Sequence, residues 1–340
     1  MDRPGGDRAE MIDQHNRNIN YLRISVTDRC NLRCLYCMPK EGLSLIGHDD
    51  ILRYEEILRV TRLAVKKGIS KVRVTGGEPL VRRGIVEFIA RLKAIEGLND
   101  ISLTTNGILL EEFAEKLNRA GMTRINVSLD SLNPQKYAEI TRGGSLAAVL
   151  RGIDSAYRAG FSPIKINTVA IKGENDDEIL EFANLTLDKP FQVRFIEMMP
   201  LGNAGPDQSV HYLSNDLVME KINRHYRLEP IDGRNMITDG PARRYRISGG
   251  MGEIGFISPV SHHFCHHCNR IRLTADGHLR ACLLLDDEVD LKGPLRANCG
   301  DDVLGELLEK TILEKPKGHA PILNDRHLRK CVRGMSAIGG

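Results

Sequence analysis

The chain has 340 residues, 41% of them hydrophobic and 27% charged, with 48 Lys and Arg against 45 Asp and Glu. That length suits one large domain with a smaller companion, and a formal charge of +3 is too balanced for a surface that coats nucleic acid. No apolar run approaches the ~18 residues of a membrane span and the start carries no hydrophobic signal core, so neither a membrane nor a nucleic-acid partner is expected and a cytoplasmic location is.

Residues 1–18 are polar, with Pro4, Gly5 and Gly6, and read as a flexible N-terminal arm. Short β-rich runs follow at 22–26, 71–75, 101–105, 123–128, 164–170 and 191–196. Amphipathic stretches separate them, such as Tyr54 to Lys67, stopped by Gly68, and Leu146 to Ala159, stopped by Gly160. Six β–α units predict an α/β fold with a parallel sheet under outer helices. The series is too short for a closed eightfold barrel, so residues 19–200 read as a partial (β/α)6 TIM-like barrel.

Chemistry in such folds collects where strands end, and the unusual residues follow the strands directly. Strand one leads into the triplet Cys30, Cys34 and Cys37, strand two into Thr75–Pro79 (TGGEP), and strand three ends in Thr104–Gly107 (TTNG). Strand four carries Asn126–Asp130 (NVSLD), strand five contains Lys165, and strand six runs Val193–Met199 (VRFIEMM). After about residue 200 glycine and proline rise and the alternation stops, which marks a smaller C-terminal domain at 201–340. Within it, Ile271 to Leu283 alternates in period two on both sides of Asp276-Gly277, a hairpin signal, and a helix is predicted near Val303 to Leu313. The chain ends in RGMSAIGG.

In a reducing compartment eight cysteines are not expected to form disulfides, and six of them fall into two tight groups, as metal ligands do. Cys299 and Cys331 stand alone. In the first group no further pair of cysteines or histidines follows nearby to complete zinc's usual four ligands, although a structural zinc half-site is the competing reading. A cubane cluster on three cysteines leaves one iron open to a small molecule. In the GGEP motif Gly76 and Gly77 permit close backbone approach, and Glu78 offers a carboxylate to an ammonium group.

The second group, Cys265, Cys268 and Cys282, straddles the hairpin. A zinc ribbon is a serious alternative there, with His262, His263, His266 and His267 as possible fourth ligands. Against it stand Arg270 and Arg272, in period-two register on one face, where they can jointly grip a phosphate or a purine. The chain lacks a glycine-rich Walker loop, so a triphosphate would serve as a handle rather than a leaving group.

The first triplet, with Tyr36 before its third cysteine, resembles the radical S-adenosylmethionine (SAM) superfamily. The fuller set VTDRCNLRCLYCMPK, RVTGGEPLVRR, LTTNG, INVSLDSL, RFIEMMP, FCHHCNRIRLTADGHLRACL and a terminal GG is similar to the GTP 3′,8-cyclase family, over about residues 15–340. That family opens molybdenum cofactor biosynthesis. The resemblance implies a [4Fe-4S] cluster on Cys30, Cys34 and Cys37 whose open iron is chelated by SAM, with Tyr36, Gly77, Glu78, Ser128 and Met199 as SAM contacts. It implies a second [4Fe-4S] cluster on Cys265, Cys268 and Cys282 that contacts the guanine of GTP. Arg23, Arg73, Thr104, Lys165, Arg194, Arg270 and Arg272 would bind the nucleotide. The tail Gly339-Gly340 would enter the active site, with Arg333 seating it.

By the same resemblance, the radical from SAM removes hydrogen from C3′ of GTP, and closure onto C8 gives (8S)-3′,8-cyclo-7,8-dihydroguanosine 5′-triphosphate. An electron donor of flavodoxin or ferredoxin type, a downstream cyclic pyranopterin monophosphate synthase and a homodimer are the partners it implies. Two alternatives remain at this point: a peptide-modifying radical SAM enzyme with an auxiliary cluster, and a non-catalytic zinc-ribbon module.

Overall fold

The structure, a computed structural model, describes residues 10–199, 208–231, 240–318, 331 and 333–339; the start of the predicted C-terminal domain and Gly340 lie outside them. In chain order come β1 (Tyr21–Ser25), α1 (Tyr54–Lys66), β2 (Lys71–Thr75), α2 (Ile85–Lys93), β3 (Asp100–Thr105), α3 (Leu110–Arg119) and β4 (Arg124–Ser128). Next are α4 (Pro134–Thr141), α5 (Leu146–Arg158), β5 (Ile164–Ala170), α6 (Ile179–Asn184), β6 (Gln192–Glu197), α7 (Gln208–His211), α8 (Asn215–Asn223), β7 (Leu228–Pro230), β8 (Arg243–Ile247) and β9 (Glu253–Ile257). The remainder holds β10 (Arg270–Leu273), β11 (His278–Arg280), β12 (Val289–Asp290), α9 (Lys292–Arg296), α10 (Asp301–Leu313) and a last turn, Met335–Ile338.

These elements form two compact units, neither of them continuous in sequence. The first lies within Met1–Arg29, Ser44–Ile101 and Cys265–Gly340, and the second within Cys30–Leu43 and Ser102–Phe264. In the first, β1 pairs in parallel with both β2 and β10, and β10 turns back antiparallel into β11, which pairs with β12. In the second, β3, β4, β5 and β6 follow one another in parallel, β9 joins β6 in parallel, and β8 and β7 close the series antiparallel. The six predicted strands are all present, and every pairing among them within a unit is parallel.

Register explains why each strand has one apolar and one polar side. In-register neighbours share a face, so Leu22, Val72 and Ile271 form one apolar row and Ile24, Val74 and Leu273 the next, all fully buried. In the second unit Val127, Ile166, Val193 and Ile254 do the same. Each such side chain contributes about 1.5–3 kcal/mol by burial, which holds the strands under their helices and leaves the opposite face for polar groups. The helices stop where predicted: the chain leaves α1 at Gly68 (φ 113°) and α5 at Gly160 (φ 88°). Ser145 caps α5 by accepting the Ala148 N–H at 3.3 Å.

The segment before β1 is held where it is described. Ile12 bridges to Asn18, and Asp13 and Arg17 form a buried ion pair at 2.6 Å. The predicted hairpin is β10–β11, closed by Ala275, Asp276 and Gly277, with Gly277 at φ 84° and Thr274 N–H donating to His278 O at 2.9 Å. No helix of the described residues is long and apolar enough to cross a membrane.

Candidate active site

In the second unit, the first cysteine loop is a pair of tight turns docked on α4. Cys37 and Met38 N–H both donate to Cys34 O, at 3.0 and 3.2 Å, while Arg33 and Leu35 N–H donate to Thr141 O and Ile140 O. The Cys30 sulfur accepts from Leu32 N–H at 3.4 Å and from Asn106 Nδ2 at 3.8 Å. Desolvation pushes the Cys34 thiol well up, reinforced by Asp130, Cys37 and Cys30, so the three sulfurs share one electrostatic environment. None of the eight cysteines, all among the described residues, is joined in a disulfide. Three thiols on one loop, with amide donors aimed at one of them, fit a cubane that replaces their protons with iron.

Tyr36 donates its hydroxyl to Asp130 Oδ2 at 2.6 Å, and Asp130 Oδ1 accepts Val169 N–H at 2.9 Å. Burial lifts Asp130 to about 6 against these two donors. Beyond this pair, the polar face of the sheet carries two rows of polar residues, the candidates Thr104, Lys165, Ser128 and Arg194 among them. Thr104, Asn126, Lys165 and Gln192 lie in one, and Ser128, Asn167 and Arg194 in the other. Lys165 and Arg194 are buried, and Met199 is half-buried two residues past β6.

In the first unit, Gly77 N–H donates to Thr27 O at 2.7 Å and Glu78 N–H to Arg29 O at 2.8 Å. A Cβ at Gly77 would lie 2.4 Å from Arg29 O and 2.7 Å from Asp28 O, so only glycine fits. Glu78 is buried, and its Oε1 accepts Leu80 N–H at 3.0 Å.

The polar face of the β10–β1–β2 ladder is a cationic layer. Arg270, Tyr21 and Lys71 form one row and Arg272, Arg23 and Arg73 the next. Burial holds the Arg23 guanidinium well below its usual range, and Arg272, Arg73 and Arg270 add repulsion. Burial and Arg270 likewise bring Arg272 down to about 10. Burial would raise the Tyr21 hydroxyl, but Arg73, Arg23, Lys71 and Arg270 pull it down. Lys71 pairs with Asp100 at 3.0 Å.

The second cysteine group borders this layer. Cys265–His267 make a short turn in which Cys268 N–H donates to Cys265 O at 3.1 Å. Burial opposes ionisation of Cys268, yet Lys315, Arg270 and Arg17 bring it down to about 6, which suits a thiolate ligand. Arg17 Nη1 donates to Cys265 O at 2.8 Å, and Lys315 Nζ holds Arg270 O and Ala281 O at 2.7 and 2.6 Å. Among the four histidines, His262 lies 2.7 Å from Asp216, and the His266 and His267 rings touch each other at 4.1 Å.

The tail reaches the same layer. Gly339, at φ 75°, sits against Thr75 and Ser25, and its carbonyl accepts from Arg272 Nη1. Arg333 is paired with both oxygens of Glu288 at 2.8 and 2.9 Å and with Asp276 at 2.8 Å. It therefore fastens the tail to the hairpin.

Arg17, Lys71, Asp130 and Lys315 were not singled out from sequence. Lys71 is in period-two register with Arg73 and was legible. Arg17 and Lys315 are brought to the cysteines only by the fold.

The three-cysteine loop of the second unit and the Gly77 cradle of the first each carry a motif of the radical SAM class. The family model of the radical SAM superfamily matches residues 24–186, and that of molybdenum cofactor synthesis C matches residues 191–321. A GTP 3′,8-cyclase of Alkaliphilus oremlandii is 50% identical over 97% of this chain and 100% of its own length, and one of Moorella thermoacetica is 48% identical over the same shares. The crystal structure of Streptococcus suis SuiB bound to S-adenosylmethionine has a TM-score of 0.56 at 15% identity, covering 86% of this chain and 69% of that one, a likeness of fold alone. This chain belongs to the GTP 3′,8-cyclase family. Its fold class is the expected α/β partial barrel with a C-terminal domain, and the matches over nearly the whole chain set aside the zinc-ribbon and peptide-modifying alternatives.

Proposed function

We propose that this chain converts GTP into (8S)-3′,8-cyclo-7,8-dihydroguanosine 5′-triphosphate, the first step of molybdenum cofactor biosynthesis. The observation that carries the reading is the cationic layer of Arg270, Lys71, Arg272, Arg23 and Arg73 beside Cys268. Like charges buried together repel, and a triphosphate with roughly four negative charges relieves that repulsion where a neutral substrate would not. Cys30, Cys34 and Cys37 hold one [4Fe-4S] cluster and Cys265, Cys268 and Cys282 a second; with SAM bound, they supply the one-electron chemistry of the superfamily.

Tyr36, Gly77, Glu78, Ser128 and Met199 position SAM, Tyr36 being fixed by Asp130. Arg23, Arg73, Thr104, Lys165, Arg194, Arg270 and Arg272 bind the nucleotide. Gly339 and Gly340 complete the site, Arg272 meeting the Gly339 carbonyl and Arg333 anchoring the tail. The protein works in the cytoplasm as a homodimer, takes electrons from a flavodoxin- or ferredoxin-type donor and passes its product to a cyclic pyranopterin monophosphate synthase.

The test is anaerobic turnover after reconstitution, with 5′-deoxyadenosine and the cyclised nucleotide followed by mass spectrometry. About eight irons and eight sulfides per chain are expected, together with both products, and Cys34→Ala abolishes both. Cleavage of SAM with GTP returned unchanged overturns the substrate.

A further inference from the structure

The polar row Thr104–Asn126–Lys165 contains one member that the family reading leaves without a task. Asn126 is 1% exposed, on the polar face of β4, while its neighbours Ile125 and Val127 point the other way into the apolar layer. Its amide orientation is determined by chemistry: Nδ2 lies 3.1 Å from the Leu103 carbonyl, which can only accept, so the nitrogen faces Leu103 and Oδ1 faces away. That Oδ1 is buried and has no hydrogen-bond partner, and neither has Oγ1 of Thr104 beside it in register.

A buried carbonyl oxygen without a donor costs about 1–3 kcal/mol, and folded proteins keep such groups where a ligand or water satisfies them. The missing group must be a donor. Triphosphate oxygens are acceptors and cannot supply it, whereas a ribose hydroxyl or a base N–H can. We infer that Asn126 is a specificity residue for the nucleoside half of GTP, its Oδ1 accepting a hydrogen bond from the ribose 2′-hydroxyl or from the 2-amino N–H of guanine. The inference rests on the proposed function, and Lys165 and Thr104, its in-register neighbours, belong to the nucleotide set of that reading.

Affinities of the reconstituted holoprotein for GTP, 2′-deoxy-GTP, inosine triphosphate and SAM, measured by anaerobic calorimetry, decide it. Wild type binds GTP about tenfold more tightly than whichever analogue lacks the donor. Asn126→Leu loses about tenfold for GTP and nothing further for that analogue, a non-additive cycle that also names the donor. SAM affinity and the far-UV spectrum stay unchanged.

Equal wild-type affinity for GTP and both analogues overturns the inference without any variant. So does a leucine variant that binds GTP within about twofold of wild type, as a bridging water would allow, or one that loses SAM instead. If wild type binds SAM but not GTP, the proposed function itself has failed, a result distinct from these.

Discussion

Replacing Arg17 by alanine removes the clasp of the N-terminal segment. The Asp13 and Arg17 side chains are 0% and 5% exposed and meet at 2.6 Å. The rest of the guanidinium serves four carbonyls, those of Cys265, Lys315, Pro316 and Lys317. Alanine leaves a buried carboxylate without its counter-charge, a change that costs about 3–5 kcal/mol. For an m-value of about 3 kcal/mol/M, the urea midpoint of the apo protein drops by about 1–1.7 M. Removing both charges together, as Asp13→Leu with Arg17→Met, recovers at least ~1 kcal/mol of that loss, because neither ion is then stranded.

The effect also has a pH signature. Burial opposes ionisation of Asp13, but the Arg17 and His15 N–H groups and the Arg17 guanidinium hold its carboxyl below the usual range. A depressed folded pKa gives stability that is full above the unfolded value of about 3.9 and fades as pH falls through the folded one. The gap between wild type and Arg17→Ala therefore narrows below about pH 4. A gap under ~0.5 kcal/mol at pH 7, or one indifferent to acid, refutes the reasoning.

Asp130 carries the opposite sign: its folded pKa of about 6 lies above the unfolded value, so apo protein gains stability as pH falls through 6, by about 2.5 kcal/mol at pH 4 and about 3 kcal/mol well below it. Asp130→Asn lacks that gain, and the difference between the two denaturation-versus-pH curves measures it. Gly77→Ala places a methyl 2.4 Å from Arg29 O, and SAM affinity by equilibrium dialysis falls at least about tenfold; an unchanged value refutes the cradle. Arg272→Met weakens GTP binding about 30-fold or more by calorimetry. The same variant leaves the apo melting temperature unchanged or raised, since Arg272 sits among like charges; a lower one contradicts the crowding.

Much of this protein was legible in its residues. The six strands, their stops at Gly68 and Gly160, the hairpin around Asp276-Gly277 and the two cysteine groups are local signals, set by side-chain period, by glycine's freedom at positive φ and by ligand spacing. Arg270 and Arg272 were placed on one face for the same reason, because period two needs no knowledge of a partner strand. The alternation that reveals a strand says nothing about which strand lies beside it.

Tertiary structure alone decided the rest. Pairing of β10 with β1 turns two arginines into a layer with Tyr21, Arg23, Lys71 and Arg73, joining segments some 200–250 residues apart in the chain. Arg17 reaches Cys265 across 248 positions, and Gly339 reaches Arg272 across 67. The pKa values follow from the same cause. Asp130 at about 6 and Cys268 at about 6 are moved in opposite directions from their ordinary ranges, one by desolvation and the other by converging cations, and both depend on neighbours that chain folding brings in. Local chemistry chose the groups, and long-range burial and strand pairing determined their company and hence their charge.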